Sequence, residues 1–303
     1  MLAELVKNLK ERLHQNPDAL IASVSQNDCY EFCECDNCKA VAEAEGSQAG
    51  PVVRFCNAIA DDIAKDYPDV AIETLAYQYT RKPPRITKPR PNVIICLCSI
   101  ECCFIHPLGT DPFNASFTED IKGWSRICRR LWIWDYIINY AHSIMPFPNL
   151  YSLKPNIRFF ISNGVKGIYE EADYFTKGGE LAELRTWIIA KTLWDPDYDT
   201  DRAISEYLLF HYGSPEQVLP WAFGPATALN YPARCVSECL EIARLPGQAR
   251  ALDLGCAVGR STFELARNCS EVIGIDYSHR FIEVARHLQQ HGAINYDYVE
   301  EGR

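Results

Sequence analysis

Five short runs of apolar and β-branched residues alternate with helical patterns over the first two-thirds of the chain. They are ALIASVS (19–25), AIETLAYQY (71–79), NVIICLC (92–98), LWIWDYI (131–137) and VKGIYEE (165–171). Between the first two, PVVRFCNAIADDIAKDYP places Val52, Phe55, Ile59 and Ile63 on one helix face, and further helical patterns cover 115–130, 150–163 and 178–193. Parallel strands cannot be joined by tight turns and need a crossover, usually a helix. Near-continuous apolar strands separated by helices therefore predict a parallel sheet buried under helices.

A polar residue stands at the carboxyl end of each predicted strand: Asp28, Tyr77 with Tyr79, Glu101, Asp135 and Glu170. In (β/α) barrels the site is built at that rim. Two readings stay open. Such carboxylates cap helices and pair with arginines, or they line a sugar-binding rim and act as acid and base in glycoside hydrolysis.

The composition fits globular domains: 48% hydrophobic, 23% charged and 12% aromatic over 303 residues. A net charge of −10 argues against general nucleic-acid or anionic-membrane binding. No apolar run reaches the length of a bilayer span. At the N-terminus Leu2, Leu5, Val6, Leu9 and Leu13 form one helical stripe between charges, an amphipathic helix rather than a secretion signal, so a cytoplasmic chain is expected.

Of fourteen cysteines, ten fall before residue 130. In a chain without a secretion signal they read as thiols or metal ligands before disulfides. Cys29, Cys33, Cys35 and Cys38 crowd into one loop, and four thiolates can enclose zinc tetrahedrally. Ordinary thiols are the competing reading. The stretch RKPPRITKPRP (81–91) carries five positive charges on a proline-stiffened loop, either solvated or placed to hold an acidic sugar.

The blocks SVSQNDCYEFCECDNCK, LAYQYTRKPP, LWIWDYIINYAHSIMPFPNL, KPNIRFFISNGVKGIYEEADYF and LRTWIIAKTLWDPDYD resemble, in order, a bacterial domain family of unknown function. That family is related to the α-glucuronidase glycoside hydrolases and has a (β/α)8 barrel. The resemblance spans roughly residues 15–200. It implies that the visible strands are the later ones of the barrel, with earlier strands expected before Met1. It also implies acid and base carboxylates at strand ends, which by position are Asp135 and Glu170. Asp28, Tyr77 and Glu101 would then contact substrate.

The last third changes character. ARALDLGCAVGR reads as a strand entering a glycine turn, Ser261 with Glu264 as a capping box, EVIGIDYS (271–278) as a second buried strand, and SHRFIEVARHLQQHG as a helix ending at Gly292. A helix is also predicted over 200–212 and another over 233–245. Gly255 and Gly259 let the backbone turn beneath a ligand with amides facing it. Asp276, at the end of the second strand, is placed to accept ribose hydroxyls. The spacing from Asp253 to Asp276 suits a dinucleotide or S-adenosylmethionine. An acidic residue before the first glycine favours the latter, where it lies beside the cationic methionine end.

The blocks EYLLFHYGSPEQVLPWAFGP, NYPARCVSECLE, ALDLGCAVGRSTFELAR and VIGIDYSHRFIEVAR resemble 4-mercaptohistidine N1-methyltransferases of ovothiol biosynthesis. This resemblance starts near residue 198. It implies S-adenosylmethionine as donor, a thiolated histidine as acceptor, and Asp253, Gly255, Cys256, Gly259, Asp276 and Tyr277 around the cofactor. Later strands of such a domain are expected beyond the end of the chain, so weak cofactor binding and no methylation are anticipated. The fold class expected is α/β: a partial (β/α)8 barrel over residues 1–199, then a partial Rossmann-like class I methyltransferase domain over 200–303. A carbohydrate-active barrel or a non-catalytic sugar-binding module is the alternative function.

Overall fold

The computed structural model describes residues 1–143, 145, 147–173, 179–199, 208, 211–213, 230–276 and 279–294. They fall into two compact units, Met1–Ser143 with Tyr151–Lys177, and Ile144–Leu150 with Gly178–Arg303.

In the first unit the predicted apolar runs become strands β1 (Ile21–Ser23), β2 (Ala71–Ala76), β3 (Val93–Cys98), β4 (Arg130–Tyr136) and β5 (Gly167–Glu171). All pair in parallel and in chain order, forming a curled half-barrel sheet. Helix α1 (Leu2–Gln15) precedes β1; α2 (Asp36–Glu45) and α3 (Ala49–Ile63) lead from β1 to β2, α4 (Ala115–Ile127) from β3 to β4 and α5 (Leu150–Ser162) from β4 to β5, whereas β2 passes to β3 through a loop without an α-helix.

Alternation along the strands divides the sheet into two chemically different faces. Ile72, Val93, Ile95, Leu97, Leu131 and Ile133 join Val53, Ile59, Ile63, Phe117, Trp124 and Phe160 in one buried cluster, with Ile168 packed against it. This is the helix-covered face. Residues of opposite parity, including Glu73, Cys96, Cys98, Trp132, Trp134, Tyr136, Tyr169 and Glu171, occupy the other face. The buried side of α3 includes the predicted Ile59 and Ile63, but its first half centres on Ala49, Val53, Cys56 and Ala60, with the predicted Val52 and Phe55 only half-buried. The short side chains at 49, 56 and 60 let that side of the helix lie closer to the sheet.

The cationic loop is stapled down. Arg81 donates to Asp120 (2.8 Å), Glu101 (2.9 Å) and Ser116 (2.9 Å), Arg90 pairs with Asp61, and Arg85 donates to the carbonyls of Glu43 and Ala44. Glu45, fully buried, accepts from the amides of Ile86 (2.8 Å) and Thr87 (3.0 Å), from the Thr87 hydroxyl, and from Arg54. Burial opposes its charge, but these donors prevail and hold its pKa down at about 2. Among the described residues, Lys82, Arg85 and Lys88 are the loop cations without an ion pair, and of these Arg85 is already held by carbonyls.

The second unit contains α6 (Ala182–Trp194), α7 (Tyr231–Cys239), β6 (Arg250–Leu254), α8 (Arg260–Leu265), β7 (Glu271–Ile275) and α9 (His279–His291), with β6 and β7 parallel and in register. The predicted strand–helix–strand–helix over 249–292 is present, with Asp276 following β7 directly. Arg185, 2% exposed, is buried and donates to Asn149, to the Phe147 carbonyl, and to both the carbonyl and carboxylate of Glu180. Most of the helix predicted over 200–212 lies outside the described residues. No helix among the described residues is long and apolar enough to cross a membrane.

Candidate functional site

The glycine turn of the second unit is laced to the end of β7. The amides of Gly255 and Cys256 donate to the Ile275 carbonyl at 2.8 and 3.1 Å, and that of Ala257 donates to Asp276 Oδ2 at 2.9 Å. Gly255 (φ 77°), Ala257 (φ 47°) and Gly259 (φ 88°) are left-handed. At Ala257 the methyl group costs roughly 1–2 kcal/mol in this conformation, so the surrounding hydrogen bonds must impose it. A Cβ at Gly259 would lie 3.1 Å from Phe263 and 3.2 Å from Ala285, while one at Gly274 would lie 2.7 Å from the Thr262 hydroxyl. Glycine at these positions lets the turn and α8 settle onto the strands.

Asp253 Oδ2 accepts from Ser261 (2.8 Å) and Thr262 (2.6 Å), tying β6 to α8. The predicted capping box is therefore absent. Gly259 takes the N-cap position, Ser261 lies inside the helix, and its hydroxyl is committed to Asp253. Cys256 is buried, and burial followed by the charges of Asp276 and Asp253 pushes its thiol up to about 11. It packs at neutral pH and does not ionise. Tyr277 lies outside the described residues. The sequence reading missed Tyr212, whose hydroxyl donates to the Val258 carbonyl at 2.9 Å beneath the Arg260 guanidinium. The signal was the tyrosine of HYG, a phrase quoted only for its resemblance.

In the first unit Asp135 and Glu170 are register partners at the ends of β4 and β5. Asp135 is 3% exposed and accepts from the Ser99 hydroxyl at 2.5 Å, whereas Glu170 Oε2 is buried with no hydrogen-bond partner among the described residues. Burial lifts Asp135 to about 6 against the pull of Ser99. Burial, then the Asp135 charge, lifts Glu170 well above the ordinary carboxyl range. Raised carboxyl pKa values of this kind are a prerequisite for a general acid.

The other strand-end residues do not join this pair. Tyr77 donates to Asp28 at 3.0 Å, and Glu101 is held by Arg81. By parity, moreover, Asp135 and Glu170 stand on the helix-covered face with Leu131, Ile133 and Ile168. On the opposite face Trp134 Nε1 donates to Glu171 (2.7 Å), its ring lies 4.6 Å from Tyr169, and Tyr140 donates to the Glu171 carbonyl. Glu73 shares that face, its pKa raised by burial. Glu73 and Glu171 were not singled out in the sequence. Reading strand positions by twos, rather than by strand ends, finds them.

Two groups have metal-ligand geometry. The sulfurs of Cys33, Cys35 and Cys38 all lie within 4.8 Å of one another. Cys29 stands outside that group, its thiol donating to the Glu31 carbonyl. The backbone amide of Cys38 and the neighbouring thiols lower the Cys35 pKa, while hydrogen bonds with Cys35 and Cys33 push Cys38 up to about 11. The second group, Cys103, His106 and Asp111, meets at one nitrogen: His106 Nδ1 is 3.5 Å from the thiol and 2.8 Å from the carboxylate.

A family described as "Domain of unknown function (DUF4838)" matches residues 1–217, and one described as "Methyltransferase domain" matches residues 247–300. No curated protein matches the chain. The second match covers β6 to α9 with the glycine turn, and supports a methyltransferase-type function for that segment.

Proposed function

Because this chain belongs to the DUF4838 family and carries a methyltransferase domain over residues 247–300, we propose that its chemistry is S-adenosylmethionine-dependent methyl transfer to a thiolated histidine. The observation that carries the reading is the left-handed turn Gly255–Gly259 locked to Asp276 through the Ala257 amide. The compact turn supports the reading: a Cβ at Gly274 would lie 2.7 Å from the Thr262 hydroxyl, and one at Gly259 would crowd Phe263 and Ala285 at 3.1 and 3.2 Å, so glycine keeps the turn's backbone close-packed.

Gly255, Cys256 and Gly259 would support the cofactor through backbone, Asp276 would take the ribose hydroxyls, and Tyr277 would flank it. Asp253 orders the start of α8 and would neighbour the methionine ammonium. When bound, the cofactor supplies a methyl group on a sulfonium. The residues contribute orientation, since transfer requires donor and acceptor nitrogen to be held in line. Calorimetric titration of the full chain with S-adenosylmethionine is expected to give one site, weakened about 10–100-fold by Asp276→Ala, the loss of one or two charge-assisted hydrogen bonds. Binding is the decisive readout, and native protein that releases no heat and shows no shift in melting sinks the reading.

A second reading concerns the first unit. Trp134 and the 53%-exposed Tyr169 form an aromatic pair beside Glu171, suited to stacking on a sugar ring. This favours a carbohydrate-binding face built on Trp134, Tyr169 and Glu171, with Asp28, Tyr77 and Glu101 as further contacts at the rim and Lys82 and Lys88 left to meet an acidic sugar; Asp135 and Glu170, on the helix-covered face, would not reach a sugar bound there. Titration with glucuronate and with glucose separates the acidic from the neutral case. Tyr169→Ala should abolish the heat, and a variant that binds as the native chain does removes this reading.

A further inference from the structure

We propose that Cys33, Cys35 and Cys38 form a zinc site with three protein ligands, which closes the loop between β1 and α2. The local backbone builds the trio. Cys35 is extended (φ −63°, ψ 154°) and immediately precedes α2. Extended geometry returns side chains to the same side every second residue, bringing Cys33 beside Cys35. The first helical turn then brings Cys38 back over Cys35. Sulfurs bound to zinc at ~2.3 Å form a tetrahedron with edges of ~3.8 Å. The observed upper limit of 4.8 Å is within a side-chain adjustment of that figure.

A disulfide would use two of these thiols and strand the third, whereas a metal uses all three. Cys33 and Cys35 are exposed, so the fourth position faces solvent and is filled by water or an exogenous ligand. That is the arrangement of sites that keep an open position.

The loop has reason to be clipped. It is anchored near its start by Gln26, which donates to the Tyr77 carbonyl and accepts from Thr80 at 2.6 Å. Asp28 is held by Tyr77, and Phe32 lies against Tyr79 with centroids 5.4 Å apart. Residues 24–35 otherwise form no regular secondary structure. Zinc would fix their far end to α2 and so set the position of Asp28 at the sheet rim. The Cys103–His106–Asp111 group does not compete on equal terms. Asp111 already receives the Phe113 amide and pairs with His106, so this cluster is satisfied without an ion.

The test uses the full chain, reduced and stripped of metal, titrated with Zn²⁺ against a chromophoric chelator. One equivalent is expected, with protons released as thiols become thiolates. Cys35→Ser should weaken binding about 100-fold or more, and Cys29→Ser should leave it unchanged. Because Cys35→Ser could disturb folding, alkylation of the native chain provides a second readout. Zn²⁺ should protect Cys33, Cys35 and Cys38 together while Cys29 reacts as before. Equal alkylation with and without Zn²⁺, full binding by Cys35→Ser, or loss of binding in Cys29→Ser would each overturn the three-ligand site.

Discussion

Asp135 and Glu170 occupy matching positions on adjacent strands, yet one carboxyl has a hydroxyl donor and the other has a buried oxygen with none among the described residues. Both folded-state pKa values are raised, mainly by burial. The consequence for stability has a definite sign. Below about pH 3 both carboxyls are protonated, folded or unfolded, and nothing is lost. As pH rises, the unfolded chain releases these protons while the folded chain retains them, so stability falls through the window up to the raised values. Glu170→Gln removes one titration and the repulsion it brings. The variant should match the native chain at pH 3 and exceed it by roughly 1–3 kcal/mol at pH 8, the scale of one unsatisfied buried group. Urea unfolding at both pH values measures this, and an unchanged difference between the two proteins would refute the assignment of a strained buried pair.

At the scale of elements, all five strands of the first unit and both strands of the second were legible as apolar runs, because parallel strands leave little room for polar residues. Most helices were equally legible, but α2 was read as part of the cysteine loop, and helix orientation was less legible than helix existence. The first half of the α3 stripe turned by one residue because small side chains, and not large ones, set the closest approach. Ser261 and Glu264 matched a capping pattern, but a chain-distant partner, Asp253, took the serine hydroxyl. Local patterns lose where a half-buried carboxylate offers a stronger acceptor. Strand-end carboxylates were visible, while the face they occupy was not. Asp135 continues the alternation Leu131, Ile133, and counting by twos places it under the helices. The same count places Glu171 beside Trp134 and Tyr169. The cysteine cluster was visible as spacing, but the exclusion of Cys29 depends on where its thiol points, which spacing does not encode.

For the molecule as a whole, the consequential surface is on the two-stranded sheet of the second unit. Leu252 and Leu254 on β6 face Ile273 and Ile275 on β7 in register, and each is between 45% and 68% exposed. The opposite face carries Ala251, Asp253, Val272 and Gly274, with Thr262 of α8 close to Gly274. A parallel sheet is ordinarily covered on both faces, and four aligned aliphatic side chains make a contiguous apolar patch of the kind that drives association. A net charge of −10 opposes contact between copies at neutral pH, but that repulsion vanishes near the pI of about 5.2 and is screened by salt. The full chain should therefore associate increasingly with concentration, and more so at pH 5.5 or high salt than at pH 8. Leu254→Gln with Ile275→Gln leaves the net charge unchanged and removes half of the patch. Sedimentation velocity on both proteins at the two pH values distinguishes the causes. Association that persists undiminished in the double variant would trace it to another surface, and a native chain that stays monomeric under every condition would show that this face is covered in solution.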